Sequence, residues 1–193
     1  MAIKEIVKYG AEVLTKKIEL LNKKELDENL TKGIKDLKNT LSETKTGIGL
    51  AAPQIGLSLP VFITMDFEGM EKRESTDKLY KAYINPEIIE KSKECISSSE
   101  GCLSVPGIPL IHIYRPNKIK VKYLNEEYKE IEEELFAEFG CVFQHEYDHL
   151  QGKLIIDHLK KTKRKEIEKK LKKNNFNNEK SIINKKSTNL KMD

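Results

Sequence analysis

The chain has 193 residues, of which 38% are hydrophobic and 34% are charged, and its formal net charge is +4. This length predicts one domain with a modest core, and the composition is polar without reaching the range of disordered chains. Because the sequence has no run of 18 apolar residues and no apolar signal segment at its start, we expect neither a membrane span nor secretion.

The first half of the chain is predicted to begin with a helix. Apolar residues at a 3.6-residue period predict an amphipathic helix over about 25–42. The glycines and Pro53 of residues 46–56 disfavour a regular helix there. Residues 59–65 (LPVFITM) are typical of a buried strand, and residues 67–79 are polar and predict an exposed loop.

The second half combines strands with one more apolar helix. Residues 80–91 and 117–124 predict strands, and the latter alternates between apolar and polar residues. An acidic run, residues 130–134, leads into a helix that is expected to begin at about Glu134–Ala137 and to end near Gly152. Isolated helices among strands predict an α+β fold, with mixed or antiparallel sheets around a central helix.

The basic charge of the chain is concentrated in its tail. From Leu159 onward there are 13 Lys or Arg against 4 Asp or Glu, whereas residues 1–158 hold 22 against 27. Residues 159–173 predict a basic helix, and residues 174–193, rich in Asn, Lys and Ser, predict disorder. An acidic partner would therefore be recognised by the tail rather than by the rest of the chain.

The three cysteines, Cys95, Cys102 and Cys141, are irregularly spaced and odd in number. This pattern argues against a disulfide framework and favours a reducing compartment. We therefore expect a cytoplasmic protein, with an organellar location as the alternative if a transit peptide has been removed.

The segment QHEYDHLQG, residues 144–152, contains two histidines four residues apart. A helix turns about 100° and rises about 1.5 Å per residue, so His145 and His149 share one face and can bind one metal ion. Glu146 and Asp148 flank this face at similar angles, and geometry alone leaves both as candidates for a general base. A charged, exposed helical turn with two solvated histidines is the alternative interpretation.

Two histidines need a further ligand to form a catalytic metal site. Cys141 lies eight residues before His149, about 12 Å along the helix axis, which is too far for bonds of about 2 Å to one ion. Cys141 is therefore expected to be a small, buried residue. Cys102 lies in EGCLSVPG, residues 100–107, whose Gly and Pro-Gly predict a tightly turned backbone. Spacing does not choose between Cys102 and the other candidates, which are Cys95, His112, His158 and the acids.

Three segments occur in a characteristic order: GIGLAAPQIG (47–56), EGCLSVPG (100–107) and QHEYDHLQG (144–152). Together they resemble the three motifs of bacterial-type peptide deformylases. The resemblance covers about residues 1–158 and implies a catalytic domain of that extent, followed by the basic helix and the tail. It also implies a hydrolase that removes the N-formyl group from the N-terminal formylmethionine of new polypeptides.

The resemblance implies a metal centre and a base. According to the resemblance, one divalent metal ion per chain is bound by Cys102, His145 and His149. The native ion is expected to be Fe²⁺, with Zn²⁺, Ni²⁺ or Co²⁺ as replacements. Three protein ligands with an open position are the catalytic arrangement rather than the structural one. Of the two acids that geometry left open, the resemblance selects Glu146 as the general base.

The resemblance also implies groups that stabilise charge and bind substrate. The side-chain amide of Gln54 and the backbone N–H of Leu103 are expected to stabilise an oxyanion. Gln144 is expected to support the site. The substrate-binding positions implied by the resemblance, around an apolar pocket for methionine, are Gly47, Ile48, Gly49, Glu100, Gly101, Cys141 and Val142.

One departure from the family pattern follows the cysteine motif. Many bacterial members carry an arginine just after the Pro-Gly, but here the sequence VPGIPLIHIYRP has Pro109 or a neighbour at that place. This leaves the grip on the substrate backbone in question. Arg115 matches a second family arginine with a one-residue shift, and we expect it to pair with Asp148 and anchor the helix.

Two other functions stay open from the sequence. The chain could be an HExxH zinc peptidase, with His158 or Asp157 as the third ligand. It could instead be a non-enzymatic homologue that binds RNA or the ribosome through its basic tail. The enzyme itself would also have a use for such a tail, because its substrate emerges at the ribosome. No membrane or DNA partner is expected.

Overall fold

The computed structural model describes residues 2–22, 26–66 and 79–173. Within these ranges the chain forms seven strands in two sheets, three α-helices and three short 3-10 helices. No helix in this part of the chain is long and apolar enough to cross a membrane. The loop predicted over 67–79 lies, except for its last residue, outside the described residues, and so does the tail 174–193.

Five of the strands form one antiparallel sheet, in which the spatial order is β1-β2-β3-β6-β7. Their bounds are β1 Gly49–Ala51, β2 Val61–Met65, β3 Tyr80–Lys91, β6 Lys118–Leu124 and β7 Glu130–Phe136. The other two strands, β4 Cys95–Glu100 and β5 Ile111–Pro116, pair with each other in a separate antiparallel sheet. The α+β prediction with antiparallel sheets is confirmed.

The strands β2, β3 and β6 match the predicted strands to within two residues, but β1, β4, β5 and β7 were not predicted. The acidic run is not a prelude to the helix; it is the strand β7. Its glutamates face lysines of β6 at 2.6–3.3 Å, in the pairs Lys118–Glu134, Lys120–Glu132 and Lys122–Glu130. The sequence did not predict this strand, because the lysines that neutralise its glutamates lie on the neighbouring strand β6. A turn separates the two strands in the chain.

The first helix, α1, spans Glu28–Ser42 and confirms the amphipathic pattern. It begins three residues later than predicted because the carboxylate of Asp27 accepts hydrogen bonds from the backbone N–H groups of Asn29 and Leu30 and caps the helix. Its buried residues pack with those of β1 and β2 in one hydrophobic cluster. This packing fixes the segment that precedes β1, which belongs to the first family motif.

The central helix, α2, spans Ala137–Leu150. Ala137 has a φ of 46°, which marks the break between β7 and the helix. On one side, Phe143 and Leu150 pack into the aromatic core of the five-stranded sheet. The helix ends where Gly152 adopts a φ of 67°, as the sequence predicted.

The basic helix spans residues 161–173 of the described chain. Ile167 and Leu171 are buried in a cluster with Leu14, Leu154 and Ile156. The basic helix is therefore part of the folded core on one face, and it exposes its lysines on the other.

Candidate active site

The two histidines of α2 lie beside Cys102. The rings of His145 and His149 have their centroids 5.1 Å apart, and the Nε2 atom of His149 is 3.4 Å from the Sγ atom of Cys102. One ligand atom from each of the three residues lies within 4.8 Å of the other two. The fold thus brings a residue from the loop after β4 to within metal-ligand distance of a helix 43 residues further along the chain.

A carboxylate orients one of these histidines. The Nδ1 atom of His145 is 2.8 Å from a carboxylate oxygen of Glu100, the last residue of β4, so its Nε2 atom is left for the centre of the cluster. Burial raises the pKa of Glu100, but hydrogen bonds from His145 and Arg115 outweigh burial and lower it to about 2. Glu100 is therefore a fixed negative charge behind the histidine.

The cluster is suited to a cation. Burial raises the pKa of the Cys102 thiol, but the nearby His149 and hydrogen bonds from both histidines lower it well below its usual range, which favours the thiolate. Burial lowers the pKa of His145, yet its hydrogen bonds to Cys102 and Glu100 raise it well above the usual value. The same negative charges that favour a proton on His145 would favour a metal ion among the three side chains.

The donor set and its dimensions fit a divalent transition metal. One thiolate and two imidazoles are ligands that suit Zn²⁺ and Fe²⁺ better than Mg²⁺ or Ca²⁺. A sulfur and a nitrogen bound to one tetrahedral ion lie about 3.6 Å apart. The observed 3.4 Å between Cys102 and His149 is close to this value without any movement of the backbone.

Glu146 and Asp148, which sequence geometry could not separate, have different surroundings. Glu146 is buried, and its Oε2 atom has no hydrogen-bond partner among the described residues. Burial raises the pKa of its carboxyl to about 7 against the opposing charges of His145 and His149. Asp148 is instead engaged in structure, because its Oδ2 atom is 2.9 Å from Arg115 and 2.7 Å from His158.

The amide of Gln54 is held in one orientation on the 3-10 helix Ala52–Ile55. Its Oε1 atom accepts a hydrogen bond of 2.8 Å from the backbone N–H of Ala51. Its Nε2 atom therefore points the other way, 3.3 Å from the hydroxyl of Ser104 and 3.8 Å from the sulfur of Cys102. An N–H donor of fixed direction thus lies beside the ligand cluster.

A cavity with a volume of about 880 Å³ opens in front of the cluster. Its walls include Glu146, the base candidate, and Gln54 and Leu103, the candidates for oxyanion donors. They also include all the positions that the sequence suggested for substrate, namely Gly47, Ile48, Gly49, Glu100, Gly101, Cys141 and Val142. Cys141 is buried on this wall and does not belong to the ligand cluster, as its axial distance from His149 required.

The other candidate ligands lie elsewhere. Cys95 and His112 are exposed on the β4–β5 sheet, and His158 bonds to Asp148. Asp157 accepts from the backbone N–H of Leu154 and pairs with Arg164. Among the described residues, the group that could hold a metal ion is Cys102, His145 and His149.

The predicted pair of Arg115 and Asp148 is present, but the sequence missed what else Arg115 does. Its guanidinium is buried and also binds the carboxylate of Glu100, with an Nη2–Oε2 distance of 2.9 Å. Glu100 was taken for a residue of the pocket wall, whereas it also connects His145 to Arg115. The alternation of residues in β4 and β5 was the signal that could have predicted this contact. It pairs Glu100 with Ile111 and places Arg115 on the inner face of the sheet.

Where the family pattern has an arginine after the Pro-Gly, the cavity wall is apolar. Ile108 and Leu110 line the cavity on either side of Pro109, and Leu110 is 64% exposed. Gln144 lies at the back of the site, and its amide nitrogen donates to the carbonyls of Pro116 and Gly140. Gln144 thereby joins α2 to the end of β5.

Comparison with known proteins agrees with this geometry. A model of the polypeptide deformylase family matches residues 3–165. The chain is 44% identical over 169 residues to the peptide deformylase of Pseudothermotoga lettingae, an alignment that covers 88% of this chain and 90% of that protein.

Solved structures give the same result. The crystal structure of peptide deformylase from Ehrlichia chaffeensis matches with a TM-score of 0.79 at 30% identity, covering 92% of this chain and 99% of that one. The crystal structure of the enzyme from Thermotoga maritima matches with a TM-score of 0.70 at 40% identity, covering 83% and 99%.

Proposed function

This chain belongs to the polypeptide deformylase family, whose members remove the N-formyl group from nascent peptides, and on that premise we propose which of its residues perform the reaction. Its substrates are peptides that begin with N-formylmethionine, and its products are formate and a free N-terminal methionine. The observation that carries the assignment of residues is the convergence of Cys102, His145 and His149 beside a buried carboxylate in one cavity.

Cys102, His145 and His149 would hold the metal ion, with Fe²⁺ as the native metal and Zn²⁺, Ni²⁺ or Co²⁺ as replacements. When bound, such an ion supplies a Lewis acid that lowers the pKa of water toward 7 and polarises the formyl oxygen. The support for this assignment is the lowered pKa of Cys102, the 3.4 Å approach of His149 and the orientation of His145 by Glu100. Metal analysis of protein purified without oxygen checks the choice of Fe²⁺.

Glu146 is the general base and acid of the reaction. Its carboxylate accepts a proton from the attacking water and returns it to the methionine nitrogen as the C–N bond of the formamide breaks. A group that must do both works best with a pKa near the working pH, and burial raises the pKa of Glu146 to about 7. Its position on the cavity wall, one residue from His145, gives it access to the same substrate atoms.

Gln54 and Leu103 stabilise the negative charge that develops on the formyl oxygen. The amide nitrogen of Gln54 is directed toward Cys102 by the hydrogen bond that Ala51 makes to its oxygen. The backbone N–H of Leu103 follows Cys102 directly in the chain. A fixed donor of this kind is worth about 3–4 kcal/mol of transition-state stabilisation.

The methionine side chain is assigned to the apolar wall of the cavity, with the peptide backbone close to the glycines. We place the residues that touch substrate at Gly47, Ile48, Gly49, Glu100, Gly101, Cys141 and Val142, all of which line the cavity. Many family members have an arginine just after the Pro-Gly, where this chain has Pro109 between Ile108 and Leu110. We therefore expect weaker binding of the backbone carbonyls of the substrate. Introduction of arginine by Pro109→Arg should then lower KM for formyl-Met tripeptides.

The decisive experiment measures formate release from a formyl-Met peptide by protein loaded with Fe²⁺ without oxygen. Activity should be present in the wild type and nearly absent in Glu146→Ala. Cys102→Ala should lose the metal, whereas the exposed Cys95→Ala should retain it. His158→Ala should also retain the metal. Loss of the metal from His158→Ala would instead support the alternative function, a zinc peptidase with His158 as its third ligand.

The catalytic machinery is proposed to lie in residues 1–158, with the basic helix as an additional surface for the ribosome. Five lysines of that helix form no ion pair with the described acidic residues and lie within about 120° of the helix circumference, roughly opposite Ile167 and Leu171. They are Lys161, Lys165, Lys169, Lys172 and Lys173. Such a stripe is suited to the phosphates of RNA.

Truncation of the basic helix would remove core residues, so its lysines should be tested by substitution. Replacement of all five by glutamine should weaken ribosome binding and flatten its dependence on salt concentration. The matched control replaces Lys118, Lys120 and Lys122, which pair with glutamates on β7. Equal salt dependence in wild type and the five-lysine variant would refute the role of this helix.

A further inference from the structure

A short N-terminal segment passes directly behind the proposed oxyanion donors. The backbone N–H of Val7 donates to the carbonyl of Gln54 at 2.8 Å, and the backbone N–H of Tyr9 donates to the carbonyl of Ser104 at 2.8 Å. These two bonds join segments that are 50 residues apart in the chain. Residues 7–9 therefore fix the 3-10 helix of the first motif relative to the loop of the second.

Lys8, between these two residues, adds a third bond on the side of the cavity. Its ammonium group donates to the carbonyl of Leu103 at 3.0 Å. Burial lowers the pKa of Lys8 while the nearby Cys102 raises it, and although Lys8 is exposed to solvent, its ammonium therefore lies close to the reacting groups. The carbonyl that it holds belongs to the residue whose N–H is the proposed oxyanion donor.

The charge of Lys8 is unusual for its place. Among the described residues, Lys8 is the one lysine or arginine that lines the cavity. The other titratable residues of the lining are the acids Glu100, Glu138 and Glu146, together with Cys102 and His145. Formyl transfer to water develops negative charge on the formyl oxygen and releases formate, an anion. A cation on this wall counteracts the repulsion of those anions by the acidic residues.

The backbone bonds and the ammonium act on the same small unit. Ser104 is fully buried, accepts from Tyr9 through its carbonyl and lies 3.3 Å from the amide of Gln54 through its hydroxyl. Leu103, the residue before it, is only partly buried and lies at the edge of the cavity. Without Lys8, the backbone of Leu103 would lose the one side-chain hydrogen bond that it accepts among the described residues.

We propose that Lys8 is a positioning residue for the oxyanion donors, holding the Leu103 segment against the reacting carbonyl and contributing positive charge to the cavity. This role rests on the proposed function of Gln54 and Leu103. It predicts an effect on the chemical step, because the donor is needed most when charge develops on the formyl oxygen.

The test compares Lys8→Met and Lys8→Arg with the wild type, all as the Fe²⁺-loaded full chain. In Lys8→Met, kcat for a formyl-Met peptide should fall about 10-fold at nearly constant KM, less than the roughly 100-fold that a 1 Å misplacement costs. Lys8→Arg should restore most of kcat, since its guanidinium can make the same bond. Lys4→Met is the matched control, because Lys4 pairs with Asp36 away from the cavity.

A second measurement does not depend on activity. Amide hydrogen exchange at Leu103 and Ser104 should be faster in Lys8→Met than in wild type or Lys4→Met. Unchanged exchange together with unchanged kcat would overturn the proposal, and so would an equal loss in Lys8→Arg and Lys8→Met. An inactive wild type with faster exchange in Lys8→Met would leave the positioning intact and count against the assignment of the donors.

Discussion

At the scale of single residues, the position of the proposed base, Glu146, depends on the absence of a side chain at Gly49. A Cβ atom built at Gly49 would lie 2.6 Å from the Oε1 atom of Glu146 and 2.9 Å from its carboxyl carbon. The carboxylate of Glu146 thus occupies the space that a side chain at position 49 would fill. The sequence suggested Gly49 as a substrate-binding position, and the structure adds that its missing side chain leaves room for the proposed base.

Gly49→Ala should therefore reduce activity without removing the metal. The added methyl would push the buried carboxylate of Glu146 by about 1 Å, and a displacement of that size costs up to roughly 100-fold in rate. Formate release and metal content, measured on the same preparation, check this. Full activity in Gly49→Ala would show that the base tolerates the shift.

Glu100 is the second residue whose role extends beyond the cavity wall. Its carboxylate binds His145 on one side and Arg115 on the other, so Glu100→Gln removes a negative charge that supports a proposed metal ligand. Loss of such a supporting group typically costs about 10–100-fold in metal affinity. Competition with a chelator should show this fall, and Glu138→Gln, an exposed acid on the same cavity, should show none.

At the scale of elements, polar contacts attach α2 to the β4–β5 sheet: the ion pair of Arg115 with Asp148, the contact of His145 with Glu100 and the hydrogen bond from Gln144 to Pro116. Arg115 of β5 binds Asp148 of α2 and Glu100 of β4, and all three side chains are at least four-fifths buried. This attachment sets the distance between Cys102 on the loop and the histidines on the helix. The contacts of Glu100 with Arg115 and with His145 remain when Asp148 is replaced, so this separation does not depend on Asp148 alone.

Asp148→Asn should lower stability and leave the metal content unchanged. Burial raises the pKa of Asp148, but His158 and Arg115 lower it below its ordinary value, so the charged form stabilises the fold. We expect a loss of about 1–3 kcal/mol at pH 7 in urea denaturation. Metal loss without destabilisation would contradict the anchoring role.

The pH dependence of that difference follows from its sign. A carboxyl whose pKa is lower in the folded state contributes stability above its unfolded pKa of about 3.9, and loses it as the pH falls through the folded pKa. The gap in unfolding free energy between wild type and Asp148→Asn should therefore be complete at pH 7 and should shrink below about pH 4. A gap that grows toward acid pH would refute the assignment.

At the scale of the whole molecule, the basic helix is held by the core that surrounds the second motif. Leu171 and Ile167 share a buried cluster with Val105 and Ile113, which flank the loop of Cys102. The end of the described chain therefore stabilises the segment that presents the proposed metal ligand Cys102, although it lies far from Cys102 in sequence.

Leu171→Ala should accordingly destabilise the entire fold. Truncation of a fully buried leucine costs about 2–5 kcal/mol, and the loss should appear in the unfolding free energy measured with urea. Leu20→Ala is the matched control, because Leu20 is 51% exposed and its truncation should change stability by less than about 0.5 kcal/mol. Equal stability of the two variants would mean that the basic helix is not part of the cooperative unit.

The sequence by itself determined the elements whose pattern is local. α1, β2, β3, β6 and the end of α2 could be read from apolar periodicity and glycine, and Cys141 could be excluded as a ligand by helical rise alone. The three motifs identified the family. Each of these inferences depends on residues close together in the chain or on short fixed segments.

What only the tertiary structure decided are the contacts between distant segments. The strand β7 is stable because the lysines of β6 neutralise it, and Glu100, Arg115 and Asp148 form one network because three elements meet there. Lys8 has a place in the site only because residues 7–9 bind two motifs at once. Spacing along the chain does not encode such contacts, since burial and charge pairing depend on which surfaces the folded chain brings together.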